Sequence, residues 1–273
     1  MHEPTERRIA LFIDFENLVT NTGISSSNFN LQPAMDRLIE KGKVIFRRAY
    51  CDWSRFREAK GRLHELGVEL VDVPPSTRAG KNAADMRLVI DALELCYARE
   101  HIDTFVIASG DSDFCPLAYK LRENDRLVIG LAVKQATSPF FVKACDEFIY
   151  LTNEERGARG PARPAAGRVG HAESSGRTRA IPTIARVVVS NLLARATGPL
   201  NPSLIKEAIV RKEPDFDGRE HGFATFSRML EAMEAEGLLK RQQVGRQWYV
   251  VPVEGAADLP DPDPNDTATD PED

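Results

Sequence analysis

The run Phe105-Val106-Ile107-Ala108 ends abruptly in Ser109-Gly110-Asp111-Ser112-Asp113-Phe114, and this junction limits what the chain can fold into. A short apolar run that stops at Gly and two carboxylates, then reads helically through Leu117, Leu121 and Arg122, is a strand, a tight turn and a helix start. Ser112 or Asp113 could cap that helix by accepting backbone N–H bonds, but a cap needs only one such group. A second junction of the same construction lies far upstream, where Ile9-Ala10-Leu11-Phe12-Ile13 runs into Asp14-Phe15-Glu16-Asn17. Two buried strands that both end in carboxylates place a carboxylate cluster at one rim of a sheet.

Residues 8 to about 152 alternate strand and helix patterns. Strands are predicted over Arg8 to Asp14, Val44 to Cys51, Val68 to Val73, Thr104 to Ala108, Leu127 to Ala132 and Phe148 to Leu151. Between them, helices are predicted from Leu31 to Lys41 with Asn30 as cap, from a Ser54 cap through Leu66 to a stop at Gly67, and from Ala83 to about Arg99. Two more follow, from Asp113 and around Pro139 to Cys145. In the long helix Met86, Val89, Ile90, Leu93 and Tyr97 recur at 3.6-residue spacing. Such alternation indicates an α/β fold, a mostly parallel sheet covered on both faces.

Charge is segregated beyond this region. Between Arg156 and Ala180 stand six arginines and one glutamate among Gly, Ala and Pro, the composition of a basic flexible linker. From Glu254 onward there are eight acids and no base, expected as a disordered tail. Between these, Ile181 to Val251 reads as three helical segments and a hairpin around Gly245, a winged helix-turn-helix outline. The expected organisation is therefore 1–155, linker 156–180, 181–253 and tail 254–273. No apolar run approaches a membrane span, and the N-terminus lacks a signal-peptide core. Cys51, Cys96, Cys115 and Cys145 form no C-x-x-C pair, and the histidines show no ligand spacing, which argues against disulfides and zinc and for a cytoplasmic setting.

In open parallel sheets, ligands sit beyond the carboxyl ends of the strands where the strand order reverses, commonly between the first and fourth strands. Asp14, Asp111 and Asp113 end those strands here. Grouped carboxylates repel one another unless a cation lies between them, and hard oxygen ligands favour Mg2+ or Mn2+. Such ions neutralise charge developing on a phosphodiester, so metal-dependent hydrolysis follows. Asp85, from Lys81-Asn82-Ala83-Ala84-Asp85, is expected as a further ligand, against the alternative that it merely meets a helix dipole. Asp91, roughly 240° around the helix from Asp85, is read as a surface or salt-bridge residue. Asn17 is expected to hold a metal water or orient Asp14, Glu16 to face solvent, Ser109 to bond a carboxylate or complete the turn, Asp146 to be a turn residue. Lys81 and Lys134 are candidate phosphate contacts.

Ile13-Asp14-Phe15-Glu16-Asn17, Lys81-Asn82-Ala83-Ala84-Asp85 and Ser109-Gly110-Asp111-Ser112-Asp113-Phe114, in this order, resemble the NYN domain, the LabA-like branch of the PIN-like ribonuclease superfamily, over roughly residues 8 to 152. The resemblance implies a three-layer α/β/α fold and a Mg2+- or Mn2+-dependent nuclease acting mainly on RNA. Its acidic residues carry over onto Asp14, Asp85, Asp111 and Asp113, with Asn17 beside them. Leu204-Ile205-Lys206, Pro214-Asp215-Phe216-Asp217 and His221-Gly222-Phe223-Ala224-Thr225-Phe226 with Leu230 resemble the OST-HTH (LOTUS) domain, a winged helix associated with RNA binding.

Phe216, Phe223 and Phe226 are expected in its core. The third helix is acidic, so RNA contact is expected from Lys206, Lys240, Arg241, Arg246 and the linker. The partner expected is RNA, with no membrane and with self-association left open. The alternative is a non-catalytic RNA-binding adaptor that keeps the fold. A phosphatase or topoisomerase-primase-like site is disfavoured, since the first strand ends in Asp14-Phe15-Glu16 where a haloacid-type phosphatase needs D-x-D.

Overall fold

The computed structural model describes residues 6–20, 22–74, 82–151, 180–196, 198–244 and 247–253. The linker and tail anticipated at 156–180 and 254–273 lie outside them, but for Ala180, as do Lys81 and Arg246. Among the described residues, 6–151 and Val210–Phe216 belong to one compact unit, and 180–209 with 217–253 to the other.

The first unit is a six-stranded sheet: β1 (Arg7–Asp14), β2 (Gly42–Cys51), β3 (Glu69–Asp72), β4 (Thr104–Ala108), β5 (Leu127–Val133) and β6 (Glu147–Leu151). The spatial order is β3-β2-β1-β4-β5-β6 and every pairing is parallel. Order reverses between β1 and β4, whose paired residues run from Ile9 with Thr104 to Ile13 with Ala108. Successive strand residues point to opposite faces. Since Ile9 to Ile13 and Phe105 to Ala108 are all buried, both faces are covered. Each large side chain so buried contributes roughly 1.5–3 kcal/mol. The helices flanking the sheet are α1 (Phe15–Val19), α2 (Gln32–Ile39), α3 (Lys60–Glu65), α4 (Ala83–Ala98), α5 (Cys115–Glu123) and α6 (Pro139–Ala144).

Two local expectations are corrected. Ser54 caps no helix: its N–H and hydroxyl both donate to Asp52 Oδ1, at 3.0 and 2.6 Å. The chain turns there and enters α3 only through a 3-10 segment, Arg57–Ala59. In α4 only part of the apolar stripe turns inward, with Val89 and Leu93 packing against the core. Met86, Ile90 and Tyr97 are 60%, 55% and 58% exposed, whereas Leu88, Asp91, Ala92, Leu95 and Cys96 are buried. The helix is apolar on more than one side, so spacing alone could not choose. The small Ala92 and Cys96, together with the ion pairs of Asp91, decide which face meets the sheet.

Of the two readings of Asp91, surface or salt-bridge residue, the second holds. At 4% exposure it accepts hydrogen bonds from Tyr50 Oη at 2.9 Å, Arg48 Nη1 at 3.1 Å and Arg87 Nε at 2.9 Å. A buried carboxylate persists when it is paired in this way.

In the second unit α7 (Thr183–Arg195), α8 (Pro202–Lys212) and α9 (Phe226–Ala235) precede the antiparallel pair β7 (Lys240–Val244) and β8 (Gln247–Val251). Leu200 extends this pair by bridging Val250. Phe223 is in the core of this unit and Phe226 is half-buried, while Phe216, also half-buried, falls in the first unit. No helix among the described residues is long and apolar enough to cross a membrane.

Strand packing gives a direct test of the sheet. A Cβ built on Gly130 of β5 would lie 2.1 Å from the Phe148 ring of β6, a collision of overpacking type. Gly130→Ala is expected to lower stability by roughly 1–3 kcal/mol, read by urea unfolding.

Candidate metal and phosphodiester site

The rim at the carboxyl ends of β1 and β4 is assembled by two turns that brace each other. Asp14 ends β1 and caps α1, its Oδ1 accepting the Asn17 N–H at 3.3 Å. Its Oδ2 accepts the Ser109 hydroxyl at 3.0 Å. Asn17 Oδ1 accepts the Gly110 N–H at 2.8 Å, and Ser109 Oγ accepts the Asp111 N–H at 3.3 Å. Asp111 Oδ1 then takes the Asp113 N–H at 2.9 Å, capping the 3-10 turn Ser112–Phe114 that leads into α5. Gly110 is required by close approach, since a Cβ there would stand 2.1 Å from the Ala136 carbonyl oxygen.

The structure brings Asp14, Asp85 and Asp111 into mutual electrostatic reach. Burial, and next the field of Asp85, push the Asp14 carboxyl up to about 7, with Asp111 adding to the rise. The Asn17 and Ser109 hydrogen bonds oppose it only in part. Asp85, half-buried near the start of α4, is raised by burial and then by Asp111, Asp113 and Glu16. Burial holds the Cys51 thiol well above its ordinary range, which makes it a poor nucleophile.

Other predicted residues are placed differently. The bond Asn17 makes is to backbone, so it joins the two turns. Asp113 and Lys134 are exposed, the Lys134 ammonium lying 5.4 Å from the Tyr150 ring centroid. Asp146 is a turn residue as expected, accepting the Val128 N–H at 2.9 Å and pairing with Arg122. In the second unit Lys206 and Lys240 are exposed. Arg241, expected as an RNA contact, is paired: its Nε and Nη1 meet Glu234 at 2.7 Å and Glu231 at 3.2 Å. Sequence reasoning missed Arg55, which pairs with Glu16 at 2.5 Å. The signal was its position just beyond β2, the strand beside β1.

Among the described residues no three carboxylate, imidazole or thiol groups converge on one point as a closed metal cage. The donor chemistry nevertheless suits a hard divalent cation. Mg2+ keeps several waters and needs only one or two carboxylates, and the mutual repulsion recorded in Asp14 and Asp85 is what a cation relieves.

A raised carboxyl has a defined effect on stability. Its contribution is fully present below the unfolded value near 4 and is lost as pH rises through about 7. In EDTA, wild type should therefore lose stability between those values. Asp14→Asn, which retains an acceptor for Ser109, should melt several degrees higher than wild type at pH 8 and show a flatter dependence in thermal unfolding across that window.

The chain is similar to known proteins over part of its length. An uncharacterized protein of Methanocaldococcus jannaschii is 28% identical over 149 residues, which make up 55% of this chain and 57% of that protein. The match thus spans little more than half of the archaeal relative. A crystal structure of a protein of unknown function from Vibrio parahaemolyticus is similar with a TM-score of 0.48 and 22% identity, covering 56% of this chain and 98% of that one. The NYN domain family model matches residues 8–152, just over half of the chain and the whole of the sheet region that carries these carboxylates, and the protein belongs to the NYN domain family.

Proposed function

We propose that this protein is a Mg2+- or Mn2+-dependent ribonuclease that hydrolyses phosphodiester bonds at the rim of β1 and β4. The observation that carries the reading is the buried Asp14 carboxylate, raised to about 7 and facing the charges of Asp85 and Asp111 with no cationic side chain paired to it among the described residues. The membership in a nuclease-like family supports it.

Asp14, Asp85 and Asp111 would hold the ion, one or two of them directly and the rest through its waters, with Asp113 at the outer edge. Bound there, the ion would supply Lewis-acid neutralisation of the charge that develops on the phosphodiester. Ser109 keeps Asp14 oriented through its hydroxyl, and Asn17 keeps the two turns in register. Because Asp14 must be deprotonated to bind a cation, metal affinity should fall as pH drops below about 7.

In the second unit, exposed Lys206 and Lys240 are the proposed RNA contacts, with Arg246 and the arginine-rich segment adding charge by composition. A tethered second contact raises the local concentration of RNA at the cutting rim.

A second reading, a non-catalytic RNA-binding adaptor, is favoured by one observation: the carboxylates do not already converge into a cage among the described residues. The two readings separate on one pair of measurements. Wild type in millimolar Mg2+ or Mn2+ should cleave labelled single-stranded RNA, and Asp111→Asn should lose ~100-fold or more of that activity. Equal cleavage by both proteins removes the assignment, and an absence of metal-dependent heat in calorimetry selects the adaptor.

A further inference from the structure

We infer that Arg55 is a phosphate-binding residue at the carboxylate rim, holding an RNA phosphate beside the one to be cut; naming RNA rests on the ribonuclease reading, while the anion site rests on geometry alone. Arg55 lies four residues past the end of β2, and β2 is the neighbour of β1, with Tyr50 paired in register to Asp14. Its guanidinium reaches the same rim, since its Nη1 pairs with Glu16, two residues beyond Asp14.

The side chain is preorganised from below. The guanidinium carbon lies 5.3 Å from the Phe56 ring centroid. Phe56 packs edge-on against Phe15 at 5.4 Å, and Phe15 against Trp53 at 5.1 Å. Phe15 directly follows Asp14, and Trp53 is anchored through its indole N–H to the Val71 carbonyl at 3.0 Å. An arginine resting on this aromatic cluster loses little freedom when it binds an anion.

From above, it is available. Of the five guanidinium N–H donors, one has a partner among the described residues, the Nη1 bond to Glu16 Oε1. Both side chains of that pair are substantially exposed, at 55% and 42%, and exposed ion pairs contribute ~0–1 kcal/mol. Glu16 can thus yield Arg55 to a phosphate, which matches the guanidinium fork with two parallel hydrogen bonds. Until then the pair masks an acid whose charge acts on Asp85. Arg57 and Lys60, exposed and half-exposed in the same segment, bring further positive charge, offset in part by Asp52 and Glu58.

The test uses the full chain and a fluorescein-labelled single-stranded RNA, with EDTA present so that the RNA stays intact. Anisotropy titrations over a range of salt should show Arg55→Ala binding roughly 5-fold more weakly, uniformly across sequences, with a log K against log[salt] slope smaller by about 1. Arg55→Lys should restore the slope but only part of the affinity. Glu16→Gln, which frees the guanidinium, should bind as tightly as wild type or tighter.

Unchanged affinity and slope in Arg55→Ala overturn the proposal. So does weakened binding in Glu16→Gln equal to that of Arg55→Ala, because the ion pair is then merely structural; this second variant decides the matter even if Arg55→Ala unfolds. With cleavage active, Arg55→Ala should raise KM and leave kcat within about twofold. A protein that cleaves nothing yet shows the Arg55 binding effect sinks the nuclease reading and keeps this one.

Discussion

The Asp14 carboxylate is buried at the end of the central strand pair of the sheet, and the rest of the site answers to that position. Withdrawing a carboxylate from water is costly unless it is neutralised or paired. Here Ser109 and Asn17 supply two hydrogen bonds, while Asp85 and Asp111 add repulsion. The β1 and β4 turns are tied together around this one group, so its placement is part of the fold. The unmet demand for positive charge is left at the rim.

The contrast with Asp91 is instructive, since the two aspartates are almost equally buried. Asp91 has Arg48, Arg87 and the Tyr50 hydroxyl around it, and its charge is spent holding α4 against β2. Tyr50 is also the register partner of Asp14. The two carboxylates thus stand close to one sheet position, one satisfied by the chain and one not. Environments that treat like groups so differently are how acid sites are set apart from scaffolding. The Glu16–Arg55 pair lies at the outer edge of the same arrangement, where solvent makes it weak and exchangeable.

Much of this was legible in the residues, and the failures have physical causes. Apolar runs halted by Gly and Asp exposed both edges of the site, because a buried strand must end where its backbone meets polar groups. Asp91 reads from the sequence as a surface or salt-bridge residue; the ion pairs are there, but its burial was not legible, since an angle around a helix says nothing about which side the sheet lies on. The Met86, Ile90 and Tyr97 stripe misled for the same reason: α4 has two apolar faces, and packing against Tyr50 and Arg48 selected the other. Ser54 was drawn from the expected helix by Asp52, two residues away, which offered its hydroxyl and N–H a nearer acceptor. Arg241 reads from the sequence as one base of the hairpin, and only packing shows that α9 places Glu231 and Glu234 against it.

By itself the sequence determined the α/β alternation, the parallel sheet and the identity of the acids at its strand ends, because these follow from local periodicity and from where apolar runs must stop. Tertiary structure alone decided that Asp14 would be buried beside Asp85 and Asp111, that Asp91 would be neutralised, and that Arg55 would share the rim. Electrostatic interactions depend on distance and burial, and neither exists until residues far apart in the chain are packed side by side.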